Sequence, residues 1–355
     1  MTRPALASLS LALLLLAAAC GDDGSGESGS TDDVDTVDST DGSSTGTDTS
    51  TDTDTSTSTD TDTGTSTDTG TDTSTDTGTD TGAIDCDAIL PAPLTFEEVF
   101  APGTIFDGSE DIAFDGLGHM AGKNGGEVRL VDSSGATIDS WPETGGTYGL
   151  RYRANGDLLA AKYMASQIRV VQTGATLVAM VGSVNGLYPD ADDNVWFTNF
   201  AQVQRLNADD SIDPIVTGNN GNSANGVFYD ADRGLLFYTN YGPGLIRSVA
   251  IDGDGNPGAI DMVASIPGAA LDGLNLDACG NLYVVDQGNS SLWRVFLDDA
   301  GVAIGEPEQL VAKFPSNVAN AVFGAGDGWD PLSLYVAGVP GGVYAVAVGV
   351  PGASF

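Results

Sequence analysis

The chain has 355 residues, with 12 Lys and Arg against 50 Asp and Glu, for a formal net charge of −38. So acidic a surface repels phosphate, which excludes general nucleic-acid binding. Apolar residues make up 41% of the chain, enough for a packed core, yet the charge is uneven: residues 21–82 hold 17 acids and no Lys or Arg, and residues 83–355 hold 33 acids against 11 bases.

The chain opens as a targeting signal over residues 1–19. Arg3 supplies the positive start, and Leu6 to Ala19 form an apolar run of 14 residues broken only by serines. That is too short to span a bilayer comfortably and fits a secretory h-region. The run ends Ala17-Ala18-Ala19-Cys20-Gly21. Small residues before a cysteine resemble a bacterial lipobox, with Ala17 standing where Leu is usual. The resemblance implies that Cys20 is acylated and becomes the first mature residue. The protein is then exported and lipid-anchored in a bacterial-type cell envelope, touching the membrane through its anchor only. The alternative is an ordinary signal peptide, a secreted protein and an incidental Cys20.

Residues 20–82 read as a spacer. From Thr47 to Gly82 the sequence contains only Thr, Asp, Ser and Gly. With no apolar residue to bury, the segment cannot offset the entropy of ordering and is expected to be disordered and extended by its own charge. It lacks the glycine turns and fixed ligand spacing of a calcium loop.

Residues 83–355 are predicted to be all-β. Glycine is abundant at 48, proline reaches 15, and no long helical periodicity is present. One pattern recurs: a polar residue, a small residue, an apolar pair, a turn near Asp or Gly, then an apolar strand. The copies begin at Glu110, Tyr148, Asn185, Asn225, Asp272 and Asn320, with spacings of 38, 37, 40, 47 and 48 residues. Second strands follow, such as Leu235 to Thr239 and Asn281 to Val285, and third strands such as Leu245 to Val249 and Ser291 to Phe296. Three or four short strands per unit of about 40 residues mark a propeller blade, so six copies predict a six-bladed β-propeller. Leu94-Thr95-Phe96 is expected to pair into the last blade and close the ring. Two cysteines remain after Cys20, namely Cys86 and Cys279. In an oxidising compartment such a pair most simply forms one disulfide.

In a propeller the first strand of each blade lines the central channel, so the six starting residues converge near the axis. Five of them, Glu110, Asn185, Asn225, Asp272 and Asn320, carry carboxylate or amide oxygens, and Tyr148 is the sixth. Such a ring suits one axial Ca2+, which takes six to eight oxygen ligands. It offers no thiolate or imidazole for zinc or copper. Taken singly, each Asn-Gly or Asp-Gly pair is also what a turn entering a strand requires.

The repeats resemble the regucalcin/gluconolactonase/luciferin-regenerating-enzyme family of the calcium-dependent phosphotriesterase superfamily. Three segments carry the likeness: Asn225-Gly226-Val227-Phe228-Tyr229-Asp230, Asp272-Gly273-Leu274-Asn275-Leu276-Asp277, and Asn320-Ala321-Val322-Phe323-Gly324, each followed by its second strand. The resemblance covers roughly residues 95–348 and implies calcium held by Glu110, Asn185, Asn225 and Asp272, with Asp272 as catalytic base. Tyr148 and Asn320 then lie on the substrate side, and Asp111 is a further acid by similarity to paraoxonases. Two departures stand out. Ser183 replaces the arginine that grips a sugar lactone in gluconolactonases, and His119 is the only histidine, placed by phase in the second strand of blade one, away from the channel. The implied activity is calcium-dependent hydrolysis of a small lactone or ester by a monomer. A non-catalytic surface propeller that binds a ligand or partner, and a strictosidine-synthase-like propeller, remain open.

Overall fold

In a computed structural model, residues 84–143 and 146–353 are described. The targeting signal, Cys20 and the acidic spacer lie outside them. The described residues form six four-stranded antiparallel sheets. Five sheets are continuous in sequence, and the sixth takes its outer strand from the start of the domain. The six-bladed propeller is therefore present, and its inner strands start where the repeat placed them. They run over Ile112–Phe114, Thr147–Tyr152, Leu187–Pro189, Ala224–Asp230, Leu271–Leu276 and Asn320–Phe323 in blades one to six.

Ring closure differs from expectation by three residues. The strand that completes blade six is Glu97–Phe100, paired with Gly342–Ala347. Leu94 instead donates its backbone N–H to the Leu310 carbonyl of blade five, and Phe96 packs its ring 5.1 Å from Phe314 and 5.5 Å from Tyr344. These apolar residues fill the seam between blades five and six, so hydrogen bonding to blade six begins only after them.

The sequence builds blades because its second strands are short apolar runs buried along their whole length, such as Leu158–Lys162 and Leu282–Asp286, and its turns are specified. In blades one, three and five the hairpin between inner and second strands is closed by an Asp that accepts backbone N–H groups two to four residues on. Asp115 accepts from Leu117 and His119, Asp190 from Asp192 and Asn194, and Asp277 from Cys279 and Asn281. Asp132, Asp252 and Asp298 do the same between third and outer strands. Such Asx turns supply hydrogen bonds that the backbone otherwise lacks. His119 sits in the first of these turns, just before the second strand, with Nδ1 2.7 Å from Asp115 Oδ2.

The core lies between blades. Ala113, Ala121, Val128, Leu150 and Leu158 form one cluster joining blades one and two, and Phe106, Ile112, Val322 and Val343 lie in another joining six and one. Every blade is thus packed on two neighbours, which is how a ring of short sheets buries both of its faces.

Cys86 and Cys279 are joined by a disulfide across 193 residues of sequence. It ties a short 3-10 turn, Cys86–Ala88, to the first hairpin of blade five. A cross-link closing so long a loop is expected to stabilise the fold by about 2–4 kcal/mol. Reduction, or the Cys86→Ser, Cys279→Ser double variant, should lower the melting temperature accordingly. A melting curve unmoved by reduction would show that the bridge adds nothing.

Candidate active site

The six starting residues gather at one end of the channel, and glycine is what lets them. Tyr148, Asn185, Asn225 and Asp272 are each followed by a glycine. A Cβ on Gly149, Gly186 or Gly226 would collide with the carbonyl oxygen of the next blade's starting residue, Asn185, Asn225 or Asp272 respectively. None of these glycines has a positive φ. They are present for close approach of neighbouring inner strands, not to turn the chain. Threonines clamp the same junctions. Thr239 Oγ1 accepts from the Gly226 N–H at 2.8 Å and donates to the Asp272 carbonyl at 2.7 Å, and Thr198 makes the equivalent pair with Gly186 and Asn225.

Four of the predicted ligands are buried here: Glu110 is 9% exposed, Asn185 3%, Asn225 2% and Asp272 1%. Asn185 Oδ1, Asn225 Oδ1 and Asp272 Oδ1 have no hydrogen-bond partner. Buried polar atoms are nearly always partnered, and an orphaned one costs roughly 1–3 kcal/mol. Three orphans at equivalent positions in consecutive blades are a set of acceptors awaiting something positive. Glu110 Oε1 accepts from Gln287 Nε2 at 3.1 Å. Burial pushes the Glu110 carboxyl up to about 7, against the Gln287 hydrogen bond, with the Asp111 charge adding to the rise and Lys123 opposing it. Asp272 is raised well above the usual carboxylate range, by burial first and then by the charges of Glu110 and Asp111. Two crowded acids and two amide oxygens form a donor set of the hard-oxygen kind that calcium takes. Among the described residues, no group of three or more His, Cys, Asp or Glu side chains is placed to hold a metal. This set has only two acids and depends on its amides.

The remaining candidates fall out differently. Asp111 is spent on structure: Oδ1 accepts from the Ile112 N–H at 2.9 Å, and Oδ2 from the Leu150 N–H at 2.9 Å and Arg151 Nη1 at 2.5 Å. It clamps blade one to blade two and has no oxygen left over for a cation. Asn320 is buried, with its side chain against the Cα of Gly273, so that a Cβ there would strike Oδ1. Tyr148 is half-buried, its ring 4.8 Å from that of Tyr163.

The chain-order reading missed a second tier. The residue that follows each blade's second strand stands outside the ring of starting residues. In blades two, four and five it is Tyr163, Tyr241 and Gln287, and in blade three, where Asn199 follows the strand, Phe200 comes one residue later. Ring centroids are 5.9 Å apart for Tyr163 and Phe200, and 6.4 Å for Phe200 and Tyr241. The Tyr241 hydroxyl donates to Gln287 Oε1 at 2.7 Å, which turns the Gln287 amide toward Glu110. Burial raises the Tyr148 and Tyr241 hydroxyls, and the charge of Glu110, with that of Asp272 on Tyr241, adds to it. The aromatic tier therefore borders the acids. Its sequence signal was an aromatic residue 15 or 16 positions after the starting residue in three consecutive repeats.

Toward the other end of the inner strands lies a cavity of about 370 Å³ lined by Phe114, Arg151, Tyr188, Phe228 and Phe323 among others. None of the starting residues reaches it.

No family model matches the chain, and no curated protein matches it in sequence. Solved structures share its architecture. A gluconolactonase from Xanthomonas campestris superposes with a TM-score of 0.58 at 20% identity, over 76% of this chain and 96% of that one. A luciferin-regenerating enzyme gives 0.58 at 16%, over 73% and 97%. The calcium-binding protein regucalcin from Agrobacterium tumefaciens gives 0.57 at 15%, over 74% and 96%. At such identities the likeness establishes the fold.

Proposed function

We propose that this propeller is a calcium-dependent hydrolase that opens a small lactone or ester, working as a monomer at the channel mouth. The observation that carries the reading is the trio of buried, unpartnered oxygens on Asn185, Asn225 and Asp272 beside the Glu110 carboxyl. These four residues would hold the cation. Bound calcium would supply a Lewis acid that polarises the substrate carbonyl and stabilises charge developing on its oxygen. The Asp272 carboxylate takes a proton from water as the water oxygen bonds to the acyl carbon. It returns that proton to the leaving alkoxide as the acyl C–O bond breaks, so one carboxylate serves as base and then acid. Gln287 keeps Glu110 in place through the hydrogen bond supported by Tyr241. The folds of a gluconolactonase and of a calcium-binding protein support the reading by analogy. The test is a panel of lactones and aryl esters assayed with calcium and with chelator. Turnover that vanishes on chelation supports the hydrolase, whereas calcium binding without turnover of any member leaves a ligand-binding propeller.

The reading extends to location: the enzyme is exported and tethered through an acylated Cys20, with residues 20–82 as its spacer. The expected outcome of Cys20→Ser is loss of the protein from membrane fractions, or accumulation of unprocessed precursor. Unchanged membrane fractionation of this variant would remove the anchor.

A further inference from the structure

The channel mouth is not symmetric. Its acids lie in blades one and five, at Glu110 and Asp272, and its aromatic residues lie in blades two, three and four. Tyr148, Tyr163, Phe200 and Tyr241 form a continuous arc, each ring 4.8 to 6.4 Å from the next. All four are half-buried, so each keeps part of its surface open. Met164, beside Tyr163, is 78% exposed and extends the apolar face outward.

Phe200 is held there against its backbone preference. Its φ is +63°, in the left-handed region that glycine enters freely and a bulky side chain does not. The Phe200 N–H donates to the Ala224 carbonyl at 3.2 Å and its carbonyl accepts from the Ser223 N–H at 2.7 Å, which fixes this conformation. A strained backbone carrying an aromatic ring at the edge of a site is the kind of outlier that points to use.

The second tier reads Gly125, Tyr163, Phe200, Tyr241, Gln287 and Val339 through blades one to six, without a charged side chain, and Asn199, which precedes Phe200, is engaged with the Val181 carbonyl and Gln204 Oε1. Gln287 is engaged with Glu110 and Tyr241, and the Tyr241 hydroxyl with Gln287. A polyhydroxylated ring needs several polar side chains around it, and this tier has committed its amide and one of its hydroxyls.

We propose that the arc of Tyr148, Tyr163, Phe200 and Tyr241 binds an alkyl or aryl substituent of the substrate, so that this site prefers apolar lactones or esters to sugar lactones. The proposal rests on the hydrolase reading and adds the substrate class to it. The reactive carbonyl lies toward blades one and five and its substituent over blades two to four.

The test uses γ-nonalactone, γ-butyrolactone and glucono-δ-lactone with the wild type, Phe200→Gly and Tyr163→Ala. Phe200→Gly removes the ring and relieves the left-handed backbone together, so the variant retains its fold. Wild type should favour γ-nonalactone over both other lactones by at least tenfold in kcat/KM. Each variant should cut the preference for γ-nonalactone over γ-butyrolactone about tenfold, mainly through KM, as expected for loss of apolar contact with the chain. Equal or better turnover of glucono-δ-lactone, or variants that slow both γ-lactones alike, overturns the proposal while leaving the hydrolase standing. Should no lactone be hydrolysed, calorimetric titration with the cyclopentanone that carries the same pentyl chain decides: binding weakened about tenfold in Phe200→Gly supports the arc, and no binding to wild type overturns it.

Discussion

Chelating calcium is expected to lower the melting temperature of the described domain by about 5–10 °C. A ligand held only by the folded state, at a hundred times its dissociation constant, adds about 2.7 kcal/mol, and a domain of this size shifts by about 2–4 °C per kcal/mol. The cation would meet three buried oxygens without donors and two acids whose charges oppose each other. The pH dependence has a definite sign. Glu110 rises from an ordinary 4.5 to about 7 on folding, and Asp272 also rises. Their folded forms favour the proton, so Glu110 costs stability as pH climbs from the unfolded value through about 7, Asp272 adds to that cost as pH rises, and neither costs any below the unfolded value. A cation must displace those protons. The calcium-dependent shift should therefore be small at pH 5 and grow as pH rises through about 7, where Glu110 gives up its proton. Asp272→Ala should abolish it at every pH. Melting curves that superimpose with calcium and with chelator at pH 8 would contradict the site.

The repeat architecture was legible because each blade repeats the same local rules. An Asp closes the hairpin in blades one, three and five, a short apolar strand follows, and in blades two to five a glycine after the starting residue marks where the next blade presses in. Glu110, Asn185, Asn225 and Asp272 could be placed together because repeat phase converts directly into position around an axis. The disulfide between Cys86 and Cys279 followed from compartment and count, and the structure contains it. What phase does not carry is what each side chain meets. Asp111 looked like a second acid for the cation, but its partner Arg151 lies 40 residues away and takes it out of use. The Asn-Gly pairs fit turns equally well by sequence, and it is the neighbouring carbonyls against Gly186 and Gly226 that assign them to close approach. Leu94 and Phe96 have strand composition, yet the seam between two blades claims them before pairing begins. The aromatic tier was readable in principle, but only after the ends of the second strands had been fixed.

Replacing Asp272 by Asn is expected to cut kcat on any lactone or ester the enzyme opens by about 10²–10⁴, which is about 2.7–5.4 kcal/mol of transition-state stabilisation. The substitution keeps shape and keeps one oxygen, and removes the capacity to accept a proton. Asn185 and Asn225 already offer amide oxygens at equivalent positions, so an amide at 272 still fits the ring. Calcium should accordingly continue to raise the melting temperature of Asp272→Asn, by less than in wild type, whereas Asp272→Ala loses both the response and the activity. That separation distinguishes a base from a mere ligand. The Asp272 carboxylate is buried, and no protein donor occupies its Oδ1. A variant that binds calcium and turns substrate over at the wild-type rate would show that Asp272 only holds the ion, and the base would have to be sought elsewhere around the mouth.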